Sequence, residues 1–343
     1  MSSPTILDDL RKCSNCQTPN RVPLLPLGLE FNMRFAGMTY RQNRLDLEKI
    51  VQMNCQSVQK FGYDWALIFP DDYVEWEPFG LEMTDEEDIP AMPRRYFSFT
   101  PETIKKLAFP DFAQGRMPIH LEAIRQVRKK LDGSACLAGR VAAPFSSVGL
   151  LFGIEPLLFA IIDKPQLVKD AMGILVDYII RWGKAQQDAG AEILWIGDCF
   201  SSSQFLSLAM FEEFSVPYTK TVALELKRSG LFIIYHTSEN SIPHIKLQAD
   251  LPVDTVNLGE KVEIKKIKEL INHKKCLMGN LNPVEVLRDA TPDEVYDRTL
   301  SMIECNKDAG AYIFSTSEGI TQNSTTENVT AMMKAARQAS VYY

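Results

Sequence analysis

Residues 164–198 read KPQLVKDAMGILVDYIIRWGKAQQDAGAEILWIGD, and this stretch decides the architecture. Apolar residues recur at helical spacing from 164 to 189. Asp188-Ala189-Gly190 then supplies a glycine able to take the left-handed conformation that ends a helix. The chain passes directly into the apolar run 193–198, which has the length and composition of a buried strand. The same unit recurs on both sides. Strand-like runs are predicted at 22–29, 65–70, 135–143, 193–198, 231–238, 255–258, 276–281 and 311–315, with helical stretches at 46–61, in two pieces within 101–130, and at 164–189, 208–228, 241–248, 262–273, 291–309 and 326–338. Thr291-Pro292-Asp293-Glu294 has the cap, the first-turn proline and the early acids of a helix start, and Asp308-Ala309-Gly310 repeats the helix-end signal. Eight strand-then-helix units, with no GxGxxG after the first strand, predict a (β/α)8 TIM barrel. It spans residues 21–343 as a single catalytic domain behind a short N-terminal extension, 1–20.

Bulk properties narrow the partners. The 343 residues are 45% hydrophobic and carry 37 basic against 44 acidic side chains, a net charge of −7. No block of like charge suggests a nucleic-acid partner. The start, MSSPTILDDLRK, lacks the pattern of a signal peptide, and no apolar run approaches the roughly 18 residues of a membrane helix. The expectation is a soluble, cytoplasmic protein. Seven scattered cysteines fit reduced thiols. Cys13 and Cys16 form an isolated C-x-x-C, read as part of a mobile N-terminal segment and not as a metal site.

In a barrel, polar residues at the carboxyl ends of strands face the ligand. Here these are Glu30, Asn32 and Arg34; Asp71, Asp72, Glu75 and Glu77; Asp198 and Cys199; His236, Ser238 and Glu239; Asn280 and Asn282; Ser315, Ser317 and Glu318. His236 stands out because imidazole ends the apolar run LFIIYH, where an apolar residue would cost less. Asp198, His236 and Glu318 make a donor set for Zn2+ or an acid/base constellation, alternatives that spacing does not separate. Phe69, Tyr73, Trp76, Phe145, Phe152, Phe200 and Tyr235 offer apolar walls. His120, His244 and His273 are read as structural.

Several segments, in order, resemble the uroporphyrinogen decarboxylase superfamily, which includes corrinoid-dependent methyltransferases: FPDDYVEWEPFG (69–80), GRVAAPFSSVGLLFG (139–153), LWIGDCFSSSQFLS (194–207), FEEFSVPY (211–218), YHTS (235–238), GNLNP (279–283), FSTSEGI (314–320) and TTENV (325–329). The likeness covers nearly the whole chain and implies the same barrel. Measured against the decarboxylases, MRFAGMTYRQ (33–42) keeps Arg34 of their RQAGR segment but has Phe35 and Met38 in place of the glutamine and second arginine. Asp71 holds the place of their catalytic aspartate, their tyrosine has no counterpart in APFSSVG, and Glu318 replaces a histidine. So few cations suit a tetracarboxylate poorly.

The methyltransferase branch matches better, through the AGMTYR segment and FGYD at 61–64. Thiol-methylating members bind zinc through H-x-C and a later cysteine. His236 matches, while Ser238 and Glu318 stand where the two cysteines would be. Harder donors point away from thiol activation and toward demethylation of an oxygen or nitrogen donor, with an aryl methyl ether as the leading substrate class. The resemblance thus implies methyl transfer to the Co(I) of a corrinoid (cobalamin) carried by a partner protein, with Zn2+ as an optional cofactor and a homodimer compatible with the reading. Asp71, His236 and Glu318 are the expected catalytic residues. Glu30, Arg34, Asp72, Tyr73, Phe145, Asp198, Tyr235 and Asn280 are expected at the substrate, and His236, Glu318 and Asp198 at any metal. A decarboxylase of a small carboxylate using Asp71 and Arg34, a methylcobalamin:thiol methyltransferase and a non-catalytic binding protein remain open alternatives.

Overall fold

A computed structural model describes residues 5–308 and 310–342. Seven strands run parallel and pair in sequence order: β1 (Trp65–Leu67), β2 (Cys136–Ala142), β3 (Ile193–Gly197), β4 (Phe232–Glu239), β5 (Thr255–Leu258), β6 (Cys276–Leu281) and β7 (Tyr312–Thr316). Every residue of β2 to β7 is buried, as their near-continuous apolar composition requires of a parallel sheet covered on both faces. Helices cross between successive strands. Pro165–Ala189 leads into β3 through Gly190 at φ 118°, the left-handed turn expected there.

The predicted first strand does not form a regular strand, so the sheet holds seven strands among the described residues instead of the expected eight. Pro23 and Pro26 explain why, since neither has an N–H to give a ladder. The segment still runs beside β7, where the Leu25 N–H donates to the Phe314 carbonyl at 2.9 Å and the Phe314 N–H to that of Pro23 at 3.0 Å. On its other side the Asp64 N–H, just before β1, donates to the Leu24 carbonyl at 3.0 Å. Arg21 grips the Asp64 carboxylate with two nitrogens at 2.6 and 2.5 Å, fixing the register.

Two further expectations change. The N-terminal stretch is an ordered helix, Ile6–Ser14, begun by a Thr5/Asp8 capping box. Its Cys13 is wholly buried with Sγ 3.5 Å from the Tyr312 carbonyl, while Cys16 turns to the His273 carbonyl, so the two thiols serve separate contacts. Between β2 and β3 the chain forms two additional helices, Pro144–Phe152 and Ile154–Asp163, bent by 115° at Gly153. The first is buried on all sides and therefore shows no amphipathic period. Among the described residues no single helix is long and apolar enough to cross a membrane. Ala309 of the predicted helix-end signal lies outside the described residues; the helix itself is Pro292–Asn306.

Candidate active site

The carboxyl ends of β2, β3 and β4, the residues after β1 and β7, and the 22–29 segment enclose a cavity of about 210 Å3. Leu27, Leu29, Leu67, Phe69, Leu150, Trp195 and Phe200 make it mostly apolar, and Asp72, Arg140, Cys199, His236 and Glu318 give it polar corners. A second cavity of about 350 Å3, lined by Glu30, Tyr40, Arg44, Asp71 and Tyr73 among others, shares Leu29, Phe69, Asp72 and Gly319 with the first.

His236 is held from three directions. Its ring lies on Trp195, with centroids 4.6 Å apart. Its Nδ1 is 2.8 Å from Asn257 Oδ1. Because Asn257 Nδ2 donates to the Thr316 carbonyl at 3.2 Å, the amide oxygen must face the imidazole, so Nδ1 carries a proton and donates. That leaves Nε2 for the cavity, 3.2 Å from Ser238 Oγ and 3.5 Å from Glu318 Oε2. Ser238 also donates to Glu318 Oε1. Strand β4 is irregular between His236 and Glu239, and Ser238 sits at φ 54°, a left-handed conformation that points its hydroxyl back at His236. Burial disfavours the imidazolium, but Cys199 and Glu318 outweigh it and raise the His236 pKa well above 6.5. Burial likewise pushes Glu318 up, yet His236 and the Ser238 hydroxyl hold its carboxyl below the ordinary glutamate value.

An ion network lines the opposite side. Arg116 binds Asp71 with two nitrogens, at 2.6 and 3.0 Å, and Glu77 at 2.6 Å. Arg140 pairs with Asp72 and, at 3.3 Å, with Glu75, and lies over the Phe69 ring at 4.9 Å. Its backbone is clamped by Gln186, which accepts from the Arg140 N–H and donates to its carbonyl, both at 2.9 Å. Glu75 is fully enclosed, and burial drives its pKa up to about 7 despite Arg140 beside it.

The expected site residues separate into groups. The structure brings His236 and Glu318 together in the first cavity; Asp72 lies between the two cavities, and Asp71, Tyr73 and Glu30 line the second. Arg34 works at the rim, pairing with Asp88 at 2.6 Å and stacking over Tyr40. Asp198 is a structural hub, which corrects its expected place among the metal and substrate ligands. Fully buried, it accepts from the Ser146 N–H and from the hydroxyls of Ser146, Ser201, Ser215 and Tyr235 at 2.7–3.2 Å. Five donors saturate both oxygens. Tyr235 and Phe145 are likewise buried outside the cavity linings, and Asn280 donates to the Gly259 and Val262 carbonyls at 2.6 and 2.8 Å. The strand-end reading did not reach Arg140, Trp195 and Asn257. An arginine inside ACLAGRVAA and an asparagine inside TVNL were the available signals, since a polar group in a doubly covered strand needs a partner or a task.

A parallel α/β fold with a mixed apolar and acid/base cavity at the carboxyl ends of its strands defines the class: an enzyme-type scaffold of the barrel kind. The chain belongs to the uroporphyrinogen decarboxylase (URO-D) family, whose model matches residues 7–339. A methylated-thiol–coenzyme M methyltransferase of Methanosarcina mazei is 24% identical over 312 residues, 90% of this chain and 82% of that one. A methylcobamide:CoM methyltransferase of Methanosarcina acetivorans is 21% identical, covering 89% and 88%. Uroporphyrinogen decarboxylases are also among the relatives. The fold matches a solved methyltransferase from Methanosarcina mazei with TM-score 0.87, at 20% identity over 97% of this chain and 98% of that one.

Proposed function

We propose that this chain is a corrinoid-dependent methyltransferase that takes a methyl group from a methoxylated arene and passes it to Co(I) of a corrinoid on a separate protein. The observation that carries the reading is His236 Nε2, protonatable, backed by Glu318 and opening into an apolar, tryptophan-walled cavity. The methyltransferases among the relatives support methyl transfer and a cobamide co-substrate.

Zinc does not fit the donors present. Asp198 is saturated, Ser238 and Glu318 satisfy each other, and among the described residues no three His, Cys, Asp or Glu side chains are arranged to hold a metal ion. The chemistry is therefore assigned to protons. The reduced corrinoid supplies the electron pair that attacks the methyl carbon. As the C–O bond breaks, its electrons go to the aryl oxygen, and His236 Nε2–H donates its proton there, turning a poor leaving group into a phenol. Glu318 stabilises the imidazolium beforehand, Asn257 fixes its tautomer, and Trp195, Phe69 and Phe200 exclude water from the ring. Asp71 is a poor candidate for the decarboxylase alternative, because Arg116 occupies both its oxygens.

The test incubates the protein with Co(I) cobalamin and matched methoxy and methylthio arenes, following cobalamin absorbance and released CO2. Methylation from the ethers is expected. Transfer from thioethers alone, or CO2 release without cobalamin, overturns the proposal.

A further inference from the structure

The mostly apolar cavity contains one cation that proton donation does not use. Arg140 sits in the middle of β2, on the far side of β3 from His236. Adjacent strands lie about 4.8 Å apart, so the backbones of β2 and β4 are about 10 Å apart across β3, and both side chains reach the cavity from its two sides. The guanidinium is incompletely matched. Nη1 donates to the Asp72 carbonyl and to Glu75, and Nη2 to the Asp72 carboxylate, while Nε–H has no acceptor among the described residues. Between Arg140 and His236 the strand carries Gly197, whose missing side chain leaves the space open. A Cβ there would stand 3.8 Å from both Nε and Nη2 of Arg140 and 3.7 Å from Nε1 of Trp195, so three N–H donors converge on one point of the cavity wall. Asp72, the partner of Nη2, is half exposed at the rim, where water can solvate its carboxylate in place of Arg140.

We infer that this point is an anion subsite, and that the substrate is an arene bearing a carboxylate opposite its methoxy group. The carboxylate accepts from Arg140 Nε and Nη2 and from the Trp195 indole N–H, displacing Asp72, and the ring extends from there into the cavity with the ether oxygen at His236. Planar two-point recognition of this kind is what a guanidinium provides and an ammonium does not. The apolar surroundings strengthen it by keeping water away. Two acids already face Arg140, but burial keeps the proton on Glu75 up to about pH 7, so once Asp72 turns to solvent the ligand carboxylate takes its place as counter-ion.

The inference rests on the methyl-transfer reading for the role of the ligand, but its test does not. Binding of 4-methoxybenzoate, its methyl ester and anisole to the full-length protein, without corrinoid, is followed by calorimetry and by Trp fluorescence. The carboxylate is expected to bind at least about tenfold more tightly than either neutral compound, as one charge-assisted hydrogen bond predicts. Asp72→Ala should tighten the carboxylate further, and Arg140→Met should abolish the preference. Because Arg140→Met disturbs a buried ion pair, Gly197→Ala serves as a second variant. Its methyl group meets only ordinary contact distances, so it folds, yet it blocks the donors and should weaken the carboxylate selectively. Equal affinity for charged and neutral ligands, or a preference surviving both Arg140→Met and Gly197→Ala, overturns the subsite. Preferential binding without methyl transfer to cobalamin keeps the subsite and removes the methyltransferase reading instead.

Discussion

Asp198 separates two accounts of the same residue type at a strand end, and its removal has a calculable effect. Asp198→Ala deletes the acceptor for five hydrogen bonds. Hydrogen bonds to a charged group contribute about 1.5–3 kcal/mol each, but the losses do not add when the donors find substitutes. Ser201 Oγ keeps its bond to the Asp198 carbonyl, the Tyr235 hydroxyl lies 3.4 Å from Ser201 Oγ, and Ser215 Oγ lies 3.5 Å from Thr219 Oγ1, so three donors keep a fallback. The two Ser146 donors lose their acceptor outright, a loss of about 4 kcal/mol together. The unfolding entropy of a chain this long is about 0.7 kcal/mol/K, so Tm should fall by about 6 °C. Asp198→Asn should lose about half as much, because two of the three hydroxyls around Oδ2 can turn and accept from the new NH2 while Oδ1 still serves Ser146. Scanning calorimetry measures both shifts, and a turnover assay below the lowered Tm should find most of the activity retained in Asp198→Asn. An unchanged Tm with lost turnover in both variants would refute this reasoning and restore Asp198 as a reacting residue.

Two other perturbations follow from buried groups. Glu75 has a folded-state pKa of about 7 against an ordinary 4.5, so its proton is favoured by folding. The stabilisation is complete below pH 4.5 and is lost as pH rises to about 7, a change of about 3 kcal/mol. Glu75→Gln should flatten that part of the stability profile in denaturant titrations, and an unchanged slope would assign it elsewhere. Asn257→Ala removes the acceptor of the His236 Nδ1 proton and should slow turnover, while Asn257→Asp should restore it and raise the imidazole pKa, moving the alkaline limb of the pH–rate profile to higher pH. If Asn257→Ala keeps the wild-type profile, Asn257 does not position the imidazole.

Periodicity made most of the fold readable, because buried parallel strands and their covering helices differ in length and apolar pattern. The runs at 255–258 and 276–281 coincide with β5 and β6, and the other five shift by one to three residues at their ends. The 22–29 run has the composition of a strand, but its prolines limit it to scattered hydrogen bonds. Helix Pro144–Phe152 escaped because an element apolar on every side has no period to detect. At the site, the position of His236 at the end of an apolar run led to the cavity. Asp198 occupies an equivalent position yet turns beneath the next helix, and alternation along a strand does not say which residue is covered in this way. Arg140 is understood only with Asp72 and Glu75 in view, partners brought beside it by folding.

Proton donation by His236 is decided by a single-turnover reaction of 4-methoxybenzoate with Co(I) cobalamin, catalysed by the wild-type protein and by His236→Ala across a range of pH. Methylcobalamin and the phenol should form in equal amounts, the wild-type rate should fall as pH rises through the elevated His236 pKa, well above 6.5, and the variant should lose about 100-fold or more with its melting curve intact. Equal rates in the two proteins, or no methylation of cobalamin by the wild type, would contradict it.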